Sequence, residues 1–153
     1  MIAKSIIQKN SSLIRKLINS DRNDLDIIAL ILCESHFRKK TDRFIEYCAM
    51  PILFFINKSR FESLSIGIGQ IQLRHWIRIN KKESPISIKS YLSYFSVIEN
   101  YDILKELIQL NLENEYNDSK LIAFHTGETR KYHFRLFQEL RNRIKTAPNT
   151  VYN

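Results

Sequence analysis

The stretch NDLDIIALILCES, Asn23 to Ser35, reads as an amphipathic helix whose apolar face ends on a carboxylate. Asn23 or Asp24 has the short polar side chain that caps a helix start, and Asp26 sits where the positive end of the dipole favours an anion. Spacing of three and four residues puts Ile27, Leu30, Ile31 and Glu34 on one side. A carboxyl on an apolar face near the negative end of a helix is partly desolvated. Both conditions favour its protonated form, which is what a general acid requires. The plainer reading is a boundary glutamate that turns to solvent or pairs with Arg38, four residues on.

Working outward, helical spacing dominates. Upstream, Ile6, Ile7, Leu13, Ile14, Leu17 and Ile18 predict one core helix ending near Asn19 and Ser20. Downstream, TDRFIEYCAMPILFFIN predicts helix on either side of Pro51, because proline deletes a ladder bond or opens a new first turn. QLRHWIRI starts another helix, KKESP reads as a surface turn, and SYLSYFSVIENYDILKELIQL is long, aromatic and helical. Asp118 can cap a short helix, SKLIAFH, that stops at Gly127. In the last helix Tyr132, Leu136, Phe137, Leu140 and Ile144 form a stripe, with Arg135, Arg141, Arg143 and Lys145 on the other faces; TAPNTVYN is a loose tail.

With 153 residues the chain is most simply one domain, mainly α, able to bury roughly two thirds of its unfolded surface. Its divisions are an N-terminal helix over 1–20, a central part over 24–127, a basic helix over 129–145 and a tail over 146–153. Against this helical background, SIGIGQIQ, Ser65 to Gln72, places two of the chain's three glycines close together. Such main chain takes a positive φ or lies close to another group, and a turn or small hairpin linking two helices is the ordinary explanation.

The formal charge of +8 calls for a polyanionic partner: nucleic acid, an anionic membrane face or an acidic cell-wall polymer. Cys33 and Cys48 suit two buried thiols better than a bridge. The four histidines, His36, His75, His125 and His133, form no ligand motif, so neither metal nor cofactor is expected. No apolar run approaches the roughly 20 residues of a bilayer-spanning helix. Lys4, Lys9, Arg15 and Lys16 interrupt the N-terminal apolar residues, which then read as an amphipathic helix rather than a signal peptide.

Taken in order, Glu34-Ser35, then SIGIGQIQ, then AFHTG at Ala123 to Gly127 resemble the lysozyme-like lytic transglycosylases. The resemblance covers most of residues 24–127. It implies a lysozyme-like helical domain with a turn or hairpin beside a glycan cleft. Glu34 would be the catalytic acid, and Ser35 a local support or sugar contact. Ser65, Gly67, Ile68, Gly69 and Gln70 would line the cleft from the second motif, with the glycines letting main chain approach a sugar and Gln70 supplying an amide. Phe124, His125 and Gly127 would do so from the third, with Phe124 and His125 replacing the family's usual aromatic hydroxyl and Asn.

The implied reaction is non-hydrolytic cleavage of peptidoglycan glycan strands, giving 1,6-anhydro ends, by a monomer acting in the periplasm or at the cell wall with an open export route. Hydrolysis of lysozyme type needs a second carboxylate, for which Glu62, Asp42 and Glu46 are the candidates. From other classes come a basic helical nucleic-acid binder built on Arg130, Lys131, Arg135, Arg141, Arg143 and Lys145, and an inactive lysozyme-like fold used for binding.

Overall fold

A computed structural model describes residues 2–22, 24–38, 40–79, 95–112, 117, 119–121 and 131–146, with only the backbone of Lys40, Asp42 and Lys58. Asn23, KKESP, Asp118, Phe124, His125, Gly127, Arg130 and the tail beyond Thr146 lie outside the described residues. The described chain is mainly helical, with one two-stranded antiparallel sheet. It forms two compact units, Met1–Cys33 with Ile108–Asn153, and Glu34–Leu107.

In the first unit the expected single N-terminal helix is two, α1 (Ile2–Lys9) and α2 (Ser11–Ile18). Asn10 divides them. Its backbone leaves helical geometry at φ −110° and ψ 17°, and its Nδ2 donates to the Ile6 carbonyl at 2.8 Å. The Asn10 side chain thus adds a second donor to the Ile6 carbonyl, which also accepts the Asn10 N–H at 3.1 Å; such side-chain bonds compete with the helical ladder. Ala3, Ile6, Ile7, Ile14 and Leu17 are buried, while Lys4, Lys9, Arg15 and Lys16 are exposed.

α3 (Leu25–Phe37) starts as read: Asp24 Oδ1 accepts from the Asp26 and Ile27 N–H groups at 3.0 and 3.4 Å. Its burial differs from the expected stripe, because all seven residues from Ile27 to Cys33 are buried. Such a helix is enclosed on every side and so needs no polar face.

In the second unit, α4 (Lys40–Ile56) passes through Pro51 without the expected break. Pro51 is exposed, and the ladder closes beyond it where the Asn57 N–H donates to the Leu53 carbonyl at 2.9 Å. One lost backbone bond at a solvent-facing position does not end a helix of this length. α5 (Lys58–Ser63) is capped by Asn57, whose Oδ1 accepts from the Arg60 N–H at 3.0 Å.

The chain then makes the hairpin, β1 (Ser65–Ile66) against β2 (Ile71–Gln72), with Ser65 opposite Gln72 and Ile66 opposite Ile71. α6 (Leu73–Ile79) follows directly, and α4, α5, α6 and β2 pack in succession. Trp76, Ile66, Leu73, Met50 and Phe61 form the core here, joined by Tyr101, Ile103 and Leu104 of α7 (Val97–Leu112). The boundary between the units falls within α3 and within α7.

α8 (Lys131–Thr146) returns to the first unit and packs along α1. Leu136, Phe137, Leu140 and Ile144 are its buried stripe; Tyr132, expected with them, is exposed because it lies one turn before the contact begins. Ahead of α8, Asn117 Oδ1 accepts from the Lys120 N–H at 2.9 Å and caps the turn assigned from sequence to Asp118.

Candidate functional site

Glu34 occupies the last turn of α3, where the enclosed part of the helix gives way to half-buried residues. Its side chain keeps only 16% exposure, and its Oε1 lies 3.9 Å from Arg38 Nη1. The same guanidinium pairs through Nη2 with Oε1 of Glu46 on α4. Arg38 therefore holds two carboxylates from different helices at one point. A second cation joins from α4, as Arg43 Nη2 donates to the Glu34 backbone carbonyl at 3.5 Å.

Two polar atoms in this cluster, Arg43 Nε and Glu46 Oε2, are buried with no hydrogen-bond partner among the described residues. Ser35, next to Glu34, is half-buried.

The second motif is held by different elements. Gly67 has φ +72°, and a Cβ there would sit 2.6 Å from Asn100 Cγ. Asn100, fully buried on α7, accepts the Gly69 N–H on Oδ1 at 3.1 Å and donates from Nδ2 to the Ser96 carbonyl at 2.8 Å. The group that lies against the glycines is thus a buried amide of the chain itself.

Gln70 also has a positive φ, +50°, and is 7% exposed. Its Nε2 is used within the turn, donating to the Gly67 carbonyl at 2.7 Å, whereas its Oε1 is buried without a partner among the described residues. The expected two-handed amide thus has its oxygen left over. Ser65 and Ile68 are half-buried beside it.

Other candidates are placed as follows. Cys33 is buried as expected, but Cys48 is exposed because it faces outward on α4; neither is in a disulfide. No group of three or more His, Cys, Asp or Glu among the described residues could hold a metal ion. Glu62 is half-buried on α5. Burial, reinforced by Arg74 and Arg78, holds the His75 imidazole below its ordinary value of 6.5.

On α8, Arg141 meets Asp26 at 3.2 Å and lies 5.4 Å over the Phe137 ring, and Arg143 meets Glu139 at 2.9 Å. Arg141 and Arg143, two of the cations read as a basic helix face, are therefore paired within the chain. Among the described residues, no helix is long and apolar enough to cross a membrane.

Sequence reasoning missed Asn100 and Arg43, and found nothing in the spacing of Glu46 to recommend it. Asn100 left a signal: it shares a helix face with the apolar Leu104, Leu107 and Ile108, where an amide needs partners to be buried. Glu46 left none, since its approach to Arg38 depends on how α4 lies against the end of α3. Comparison of the chain with protein-family models, with curated proteins and with solved structures finds no match in any of the three.

Proposed function

We propose that the chain cleaves the glycan strands of peptidoglycan as a lytic transglycosylase of lysozyme-like fold, with Glu34 as general acid and base. The observation that carries this reading is a carboxylate on the last turn of an enclosed helix, mostly withdrawn from solvent and set among polar groups. The order of the three motifs along the chain supports it. A single carboxyl suffices for the reaction. Glu34 delivers its proton to the glycosidic oxygen as the bond to C1 breaks. The carboxylate then accepts the proton of the C6 hydroxyl as that oxygen closes on C1, and Glu34 ends as it began. The product carries a 1,6-anhydro end at the cell wall, where the +8 chain meets an anionic polymer.

Glu46 favours a second reading, hydrolysis of the same bond. Arg38 pairs with both carboxyls, and two-carboxylate glycosidases keep theirs roughly 5 to 9.5 Å apart. In that scheme Glu46 holds the attacking water or stabilises the positive sugar.

Mass spectrometry of fragments released from purified sacculi separates the two readings, because anhydro ends lack one water relative to reducing ends. Anhydro fragments from the wild-type chain and from Glu46→Gln, with none from Glu34→Gln, are the expected result. Reducing ends that vanish in either variant indicate hydrolysis. No fragments from the wild type, or undiminished release by Glu34→Gln, overturns the reading.

A further inference from the structure

α4 carries an exposed apolar face that no part of the proposed chemistry uses. Phe44, Ile45, Cys48, Ile52, Phe55 and Ile56 recur at helical spacing and all face outward, Phe55 being 84% and Ile56 77% exposed. The stripe is about 18 Å long at 1.5 Å per residue. Between Phe44 and Ile56 the sole charged residue is Glu46, which is turned away onto Arg38. Single exposed apolar residues are unremarkable, but a continuous aromatic and aliphatic stripe marks a contact surface.

Charge selects what makes that contact. In the sequence Lys39, Lys40, Asp42 and Arg43 precede the stripe and Lys58, Arg60 and Glu62 follow it, leaving both flanks net positive, with Arg60 exposed. Net positive sequence thus flanks an uncharged stripe. A helix of that pattern, too short in its apolar part to span a bilayer, lies in the plane of a membrane with its apolar face among the acyl chains and its cations at anionic headgroups. A second copy is disfavoured, since two such faces would bring together chains of +8 each, with cations at the ends of both stripes.

We infer that α4 docks the protein on the surface of an anionic lipid bilayer through Phe44, Ile45, Ile52, Phe55 and Ile56. The inference does not depend on the glycan-cleaving reading.

Sedimentation of the full chain with vesicles tests it, using phosphatidylcholine alone and phosphatidylcholine mixed with phosphatidylglycerol. The chain is expected to partition onto the mixed vesicles, more weakly onto the neutral ones, and less as salt rises. Ile52→Ser combined with Phe55→Ser should reduce partitioning by at least about tenfold, because each removes a large buried apolar group from the lipid. Both side chains are exposed, so the thermal melt should stay near wild type; Phe55→Asp alone serves as a second variant if the pair melts early. Three outcomes overturn the proposal: no partitioning by the wild type, partitioning unchanged in the folded variants, or a dimer in solution that the substitutions convert to monomer.

Discussion

Asn100 fills the space that a side chain at Gly67 would need, which makes the two glycines of the hairpin unequal. Gly67→Ala must accept both a positive φ and a clash with a buried amide, so a loss of roughly 2 kcal/mol or more is expected from conformation and overlap together. Gly69→Ala meets only ordinary contacts at 3.4 Å and should cost less than about 1 kcal/mol. Chemical denaturation of the two variants checks this, and equal losses would mean that Asn100 does not shape the turn. Asn100→Ala strands the Gly69 N–H and should cost roughly 1–3 kcal/mol alone. Combined with Gly67→Ala it should cost less than the sum, because the overlap is gone. His75 gives a pH dependence of definite sign. Its folded pKa is lowered, so the unfolded chain binds the proton more readily below about 6.5, and stability falls as pH drops through that value toward the folded one. Melting temperature followed on acidification should show a decline that His75→Gln reduces; an identical profile in the variant would assign the decline elsewhere.

Among the helices, α8 and α4 illustrate how apolar burial and backbone chemistry outweigh surface charge. Leu140 is fully buried in the stripe of α8, and its truncation to Ala should cost about 2–5 kcal/mol. Arg141→Ala, next to it, removes a half-exposed pair with Asp26 and a contact with Phe137, which together amount to about 1 kcal/mol or less. Thermal melts of both variants should keep that order, and a reversal would mean that the ion pair organises the helix. In α4, Pro51→Ala restores a ladder donor at an exposed site. The helix gains up to about 3 kcal/mol from removing proline, less up to about 1 kcal/mol from the freer unfolded chain, so the melting temperature should rise. A fall would show that packing depends on the shape proline imposes.

At the scale of the whole molecule, a charge of +8 should act on encounter with a polymer more than on chemistry in a sheltered site. Binding to sacculi is therefore expected to weaken with salt while cleavage of a soluble glycan fragment changes little; parallel salt dependence of the two would remove the separate electrostatic role. The mainly helical class, the hairpin at SIGIGQIQ, the Asp24 cap and the end of α2 were legible from spacing and local chemistry, because helices, caps and turns are decided by residues within a few positions of one another. Three features were not legible for one shared reason. The enclosure of α3 on all sides, the arrival of Glu46 at the Glu34–Arg38 pair, and the seat of Gly67 on Asn100 each join residues that are distant in sequence or depend on neighbouring elements. Sequence by itself determined that the described chain is mainly helical and that Ser65 to Gln72 must be a close turn. Only the tertiary structure decided what lies against that turn and that Glu46 and Arg43 join the Glu34–Arg38 pair, since burial and pairing between separate elements arise when they pack, and local spacing carries no record of a distant partner.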